Sequence, residues 1–294
     1  MKRVILLAAM TILAAAPQMA TARAIHTPSI PAAIFTDPPA DPAHPPRMEV
    51  LHIPSGAVET NGVAYLAGGA GPHPTVVLLH GLPGNEKNLD LAQAIRRAGW
   101  NVVTFNYRGS WGSPGTYSFR GNLADAKAVL AYVRAPANAA KLGVDPKKLV
   151  IAGHSMGGGV TAVTAGGDPD LAGAILISSA DLGFMARTPP SNRLQTAREN
   201  MESLAGVTPE SMAQEMGTLG DASFAAAAPG LAKMPLLVLT SDDGLAPMSD
   251  ALVAILRRQG DKQVTSHHEA TDHSWSGKRI ALEALIISWL QGLK

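Results

Sequence analysis

The chain has 294 residues, a formal net charge of +1, 46% hydrophobic and 16% charged residues, and no cysteine. This length allows one large α/β domain or two small ones, and the apolar content is ample for a core. The lack of cysteine excludes disulfides, thiolate catalysis and cysteine-ligated metals; the near-neutral charge, with no dense Lys/Arg stripe, argues against nucleic acid as a partner.

At the N-terminus, Lys2 and Arg3 precede an apolar run from Val4 to Ala16. Ala22-Arg23-Ala24 offers a small-x-small cleavage site, and Ala20-Thr21-Ala22 competes with it two residues earlier. The pattern predicts an export signal over residues 1–24, and hence a periplasmic or secreted protein. About 13 apolar residues fall short of the roughly 20 that a spanning helix needs, so no stable membrane anchor is expected. With no cysteine near the cleavage site, a lipid anchor of the lipoprotein kind is not expected either. Removing the signal takes away Lys2, Arg3 and Arg23 and no acid, which moves the formal charge from +1 to −2. Residues 25–47 form a lead-in rich in proline (Pro28, Pro31, Pro38, Pro39, Pro42, Pro45, Pro46). Such a stretch favours extended backbone over helix, either wrapped on the domain or as a stalk.

Two strand-like runs follow, Met48–Ile53 and Gly62–Leu66, separated by the turn signals Pro54-Ser55-Gly56 and Asn61-Gly62, and they read as an antiparallel edge hairpin. Strands are then predicted at Thr75–Leu79, Asn101–Asn106, Lys148–Ala152, Leu171–Ser178, Pro235–Thr240 and Gln263–Glu269. Helical patterning falls between and after them, at Glu86–Ala98, Asn122–Arg134, Ser249–Arg258 and Lys278–Leu290. This alternation implies βαβ units and a mostly parallel sheet flanked by helices, an α/β domain over residues 48–294. In such sheets ligands bind at the carboxyl ends of the strands. From Asp181 to Ala232 roughly fifty residues carry no strand, and a connection that long usually has structure or function of its own. Helical patterning at Ser191–Leu204 and Pro209–Met216 makes residues 181–232 a small helical cap insertion. Its Leu194, Met201, Leu204, Met212 and Met216 either line an acyl pocket or pack the cap onto the sheet.

The predicted strand at Lys148–Ala152 breaks into Gly153-His154-Ser155-Met156-Gly157 and continues as an apolar helix. Gly-x-Ser-x-Gly between strand and helix holds a serine on a sharp elbow, with a backbone expected at φ > 0. The glycines let strand and helix approach closely, and a helix beginning at Ser155 directs free N–H groups toward the hydroxyl.

Four further motifs follow the same order as in a known superfamily. His80-Gly81-Leu82-Pro83-Gly84 follows a strand, and Asn106-Tyr107-Arg108-Gly109-Ser110-Trp111-Gly112-Ser113 follows the next. Asp242-Asp243 closes the strand Pro235–Leu239, and Asp272-His273-Ser274-Trp275 lies beyond the last strand. With the elbow, these make the chain resemble the serine hydrolases of the α/β-hydrolase superfamily from about Met48 to the C-terminus.

The resemblance implies roles. Ser155 is the expected nucleophile, and its hydroxyl needs an adjacent base. Of nine histidines, His273 stands in the loop before the closing helix and is the expected base. His80 belongs to the oxyanion loop with a structural role, and the His154 side chain is expected to point away from the site. His267 and His268 fall in a strand, one expected to face the core. The triad acid is expected at Asp243, with Asp181 and Asp242 as alternatives, because Thr240 stands where the family usually keeps a glycine. The oxyanion hole is expected from the backbone N–H groups of Leu82 and Met156, since Pro83 has none. His-Gly-x-Pro also resembles the loop of epoxide hydrolases, but those use an aspartate nucleophile and this elbow carries serine. No H-E-x-x-H or P-loop is present, so no cofactor or metal is expected. The implied activity is hydrolysis of a small-molecule carboxylic ester through an acyl-enzyme. An exopeptidase or amidase of the same fold is the alternative, and a non-catalytic binding protein of this fold the rival from another class.

Overall fold

A computed structural model describes residues 30–293, so the expected export signal and the first residues of the lead-in lie outside the described residues. In chain order the strands and helices are β1 (Arg47–Ser55), β2 (Val58–Leu66), β3 (His73–Leu79), α1 (Leu89–Arg97), β4 (Asn101–Phe105), α2 (Phe119–Arg134), α3 (Pro136–Leu142), β5 (Val144–His154) and α4 (Met156–Gly166). They continue as β6 (Gly173–Ile177), α5 (Leu182–Arg187), α6 (Pro190–Glu199), α7 (Pro209–Met216), α8 (Phe224–Leu231), β7 (Leu236–Ser241), α9 (Ala246–Arg258), β8 (Val264–Glu269) and α10 (Arg279–Gly292).

The strands form one sheet in the order β1-β2-β4-β3-β5-β6-β7-β8. β1 and β2 pair antiparallel, β2 joins β4 antiparallel, and every other pairing is parallel. The period-2 alternation of the strands divides the core into two layers. Val77 and Leu79 of β3, Leu149 and Ile151 of β5, and Leu236 and Val238 of β7 face the layer of α2, α4, α8 and α9. Val76 and Leu78, Val150 and Ala152, and Leu237 and Leu239 face the layer of α1 and α10. Both faces of the central strands are covered, which is why those segments read as unbroken apolar runs rather than alternating ones. β8 is an edge strand with no buried residue, so neither His267 nor His268 faces the core. Among the described residues no helix is long and apolar enough to cross a membrane.

Two local expectations are corrected. Asn61-Gly62 is not a turn: both residues lie inside β2, opposite His52 and Leu51, and the hairpin turns at Gly56, where φ is +64°. Gly62 is required for close approach instead, since a Cβ there would lie 2.9 Å from the Thr104 carbonyl oxygen. The lead-in contains one short 3₁₀ turn, Ala32–Ile34, with Ile34 in the α1/α10 layer. Arg97 holds that turn by donating from Nε to the Ala33 carbonyl at 2.6 Å and from Nη2 to the Ile34 carbonyl at 2.8 Å.

Residues 181–232 carry α5 to α8. Met212 and Met216 are buried in the α2/α4 layer, and Leu194, Met201 and Leu204 pack against it. The insertion is bonded to the loop after β4: Trp111 N–H donates to the Ser203 carbonyl at 3.1 Å, Ala205 N–H to Gly109 at 2.8 Å, and Tyr117 N–H to Ala205 at 3.0 Å. That loop is fixed by Arg108, whose Nε donates to buried Asp125 Oδ1 at 2.9 Å and whose N–H donates to Oδ2 at 2.8 Å. The Tyr-Arg-Gly motif is therefore a structural clamp.

Candidate active site

Ser155 joins the end of β5 to the start of α4 with φ +59° and ψ −124°, so the helix begins at Met156, one residue later than expected. Its N–H donates to the Ile177 carbonyl at 2.9 Å, and its carbonyl accepts from Ala180 N–H at 3.0 Å. A side chain at Gly157 would strike the His80 carbonyl, so glycine at this position lets α4 start against the end of β3. A non-glycine residue in the left-handed region stores backbone strain, which the packed elbow holds in place.

His273 lies in the loop between β8 and α10. Its Nδ1 is 2.7 Å from Asp243 Oδ2, with the Asp243 side chain 2% exposed and the histidine side chain 39% exposed. A carboxylate accepts, so Nδ1 carries the proton and Nε2 is left for another partner. Burial by itself would raise the Asp243 carboxyl. Hydrogen bonds from His273 and from Leu245 N–H (2.8 Å), the charge of His273 and the Ser241 hydroxyl outweigh it and hold the group at about 2. Asp243 is thus ionised at neutral pH.

Ser155 and His273 line one open cleft of about 120 Å³ with His154, Ser274 and residues 81–86, which include Leu82. Among the described residues, neither Leu82 N–H nor Met156 N–H donates to a backbone or side-chain acceptor. The two alternative acids are engaged elsewhere. Asp242 is 65% exposed and pairs with His268 Nε2 at 3.1 Å. Asp181 caps α5 and also ties it to α8, accepting from Gly183 N–H and Phe224 N–H, each at 3.0 Å. None of the five apolar insertion residues lines the cleft.

The loop over Ser155 is fixed from both sides. His80 is buried, which pushes its ring down to about 4 and keeps it neutral; Nδ1 donates to the Gly81 carbonyl at 2.8 Å. Trp111 Nε1 and Ser203 Oγ donate to the Pro83 carbonyl at 2.6 and 3.1 Å.

The expectation for His154 is overturned. Its side chain turns toward the site: Nε2 donates to the His273 carbonyl at 2.8 Å, and the two rings lie 4.6 Å apart. Burial, followed by the charge of His273, lowers its pKa to about 4, so it remains a neutral donor. The residue was visible in the motif, but its direction depends on a loop 119 residues away.

The alpha/beta hydrolase fold model matches residues 74–279. The lysophosphatidylserine lipase ABHD12 of Danio rerio is 36% identical over 91 residues, which cover 30% of this chain and 22% of that protein. An uncharacterized protein of Mycobacterium tuberculosis, Rv2307c, is 32% identical over 118 residues, covering 37% of this chain and 40% of that one. The chain thus matches well under half the length of these curated relatives. Among solved structures, an esterase of Pyrobaculum calidifontis superposes with a TM-score of 0.63 at 22% identity, covering 85% of this chain and 87% of its own. An acylaminoacyl peptidase of Pyrococcus horikoshii superposes with a TM-score of 0.60 at 17% identity, covering 84% of this chain and 41% of its own. The family model spans most of the described sheet, the elbow and the histidine loop, and the chain belongs to the alpha/beta hydrolase fold family.

Proposed function

We propose that the chain is a serine hydrolase that cleaves small carboxylic esters through an acyl-enzyme on Ser155. The observation that carries the reading is the 2.7 Å hydrogen bond between His273 and buried Asp243 at the cleft that Ser155 lines. His273 Nε2 takes the Ser155 proton as Oγ attacks the ester carbonyl, and the imidazolium then protonates the departing alkoxide. Water repeats the sequence to release the acid. Asp243 holds Nδ1–H and balances the charge that forms on the ring. The free N–H groups of Leu82 and Met156 receive the developing oxyanion, a contribution of about 3–4 kcal/mol for each donor. A cleft of about 120 Å³ suits a short acyl group. The name of the Danio rerio relative, a lipase, supports ester chemistry as the first class to test. The export pattern of residues 1–24 extends the proposal to a periplasmic or secreted enzyme, which sequencing of the processed N-terminus checks.

A fluorophosphonate probe, together with a panel of acyl-chain esters and aminoacyl amides, tests the reading. Wild-type protein is expected to be labelled and to turn over short esters, and Ser155→Ala to do neither. Folded wild-type protein that resists the probe would overturn the reading, and faster turnover of amides would move it to an exopeptidase or amidase.

A further inference from the structure

Behind the cleft three buried polar side chains meet in the core. Trp275 Nε1 donates to Ser178 Oγ at 3.0 Å, and Ser178 Oγ lies 2.7 Å from Ser241 Oγ. Trp275 and Ser241 are 0% exposed and Ser178 is 1% exposed. None lines the cleft at Ser155.

Each belongs to a different segment, and each segment carries a different part of the site. Trp275 stands two residues beyond His273, in the histidine loop. Ser241 ends β7, two residues before Asp243. Ser178 follows Ile177, the residue whose carbonyl accepts from Ser155 N–H, and precedes Ala180, which donates to the Ser155 carbonyl. The three-residue knot therefore joins the chain segments that carry the base, the acid and the backbone of the nucleophile.

The chemistry fixes one end of the knot. An indole N–H only donates, so Ser178 Oγ is an acceptor there. Ser178 Oγ accepts from Trp275 and shares a second hydrogen bond with Ser241, in which either hydroxyl can donate. Ser241 stands two residues before Asp243 and is among the groups that favour the charged form of that carboxylate. Conformation agrees with chemistry. Ser178 has φ +43° and Trp275 φ +58°, so two of the three residues share with Ser155 a backbone region that favours glycine. Such conformations persist where the surroundings over-determine them. Apolar side chains would fill this space without the desolvation cost of burying two hydroxyls and an indole N–H.

We propose that Ser178, Ser241 and Trp275 are positioning residues that set the mutual register of Ser155, Asp243 and His273. They act through those three residues and touch no substrate. The proposal rests on the active-site reading given above.

The test uses Ser241→Ala, Ser178→Ala and Trp275→Phe in the full chain, beside Ser155→Ala and Asp243→Asn. For each variant kcat, KM and the rate of Ser155 phosphonylation are measured. Misplacement of reacting groups is expected to lower kcat by roughly ten- to hundredfold with KM little changed, and to slow phosphonylation in parallel. In an Asp243→Asn background Ser241→Ala is expected to cost less than about twofold, because the residue it acts through is gone.

Wild-type kcat and an unchanged rate of phosphonylation in all three knot variants, with Ser155→Ala and Asp243→Asn inactive, would overturn this proposal and leave the active-site reading standing. Full activity in Ser155→Ala would overturn both. A loss of the same size with and without Asp243 would make the knot an ordinary core contact. If Trp275→Phe does not fold, Ser241→Ala decides, since it leaves the Trp275–Ser178 bond in place.

Discussion

His154 Nε2 donates to the main-chain carbonyl of His273 at 2.8 Å, and the two imidazole rings lie against each other. The residue before the proposed nucleophile thereby holds the loop of the residue proposed to deprotonate it. His154→Phe keeps a ring but loses the donor and frees the loop. Its kcat on a soluble ester is expected to fall by roughly tenfold or more, and its stability by about 1 kcal/mol for the lost hydrogen bond. His154→Gln, which keeps a side-chain donor, should recover part of the activity. Equal kcat in wild type and His154→Phe would show that the loop holds itself.

Three Asp→Asn variants assayed side by side test which carboxylate serves the imidazole. Asp243→Asn presents an amide that can favour the wrong histidine tautomer, so kcat is expected to fall by roughly a thousandfold or more. Asp242→Asn breaks only an exposed pair with His268 and should change kcat by less than about twofold. Asp181→Asn keeps an Oδ1 to accept from Gly183 and Phe224 N–H and caps α5 as well as Asp does, so it should change kcat and the melting temperature little. A large loss of kcat in Asp181→Asn alone would contradict the geometry.

Stability against pH should report the two buried neutral imidazoles. His80 and His154 are both lowered to about 4 by burial. Each binds a proton in the unfolded chain below pH about 6.5 that the folded chain refuses until about pH 4, so stability is lost as pH falls through that window. The contribution of each is on the order of 3 kcal/mol. Asp243, held at about 2, adds a separate loss at lower pH, from about pH 4 downward as it protonates. Urea melts at half-unit pH intervals check this, and His154→Phe should flatten the slope between pH 6.5 and 4 by one proton's worth. An unchanged slope in that variant would mean His154 is charged in the folded state.

Acyl selectivity should follow the loop rather than the helical insertion. Leu194, Met201, Leu204, Met212 and Met216 pack into or against the core, while Leu82, Asn85, Glu86 and Ser274 line the cleft. Met201→Leu and Leu204→Met are expected to leave the ratio of acetyl to hexanoyl ester turnover within about twofold, since volume-conserving swaps in packed sites are tolerated. Leu82→Ala should shift that ratio by widening the cleft. Constant selectivity in Leu82→Ala, with a shift in Met201→Leu, would place the acyl group under the insertion instead.

The parallel sheet was legible because its central strands are covered on both faces and therefore appear as apolar runs between amphipathic helices. α7 was legible to the residue: Pro209 occupies its first turn, and Thr208 and Ser211 form a reciprocal capping box. α5 has only six residues, and α8 is alanine-rich with Pro229 inside it, so neither carries a periodic stripe that rises above its surroundings. Asn61-Gly62 resembles a turn because glycine serves close strand approach as readily as positive φ. Ser155, His273, Asp243 and Leu82 could be singled out from motifs, but Asp181 and Asp242 also follow strands, and only side-chain direction separates the three acids. Ser178, Ser241 and Trp275 were out of reach, since their contacts join positions 63 and 97 residues apart.

The three backbone hydrogen bonds between Ser203–Ala205 and the loop Gly109–Tyr117 make the helical insertion part of the rigid frame. Glu215 adds two more contacts, accepting from Phe119 N–H at 3.0 Å and Arg120 N–H at 2.9 Å. At about 1 kcal/mol net for each bond, swinging the insertion aside as a lid would forfeit several kcal/mol before any lipid contact compensated. The cleft beside Ser155 is already open between the 81–86 loop and Ser274. An enzyme built this way gains nothing from an oil–water interface: its rate should saturate smoothly on dissolved ester and show no jump when the substrate begins to form micelles.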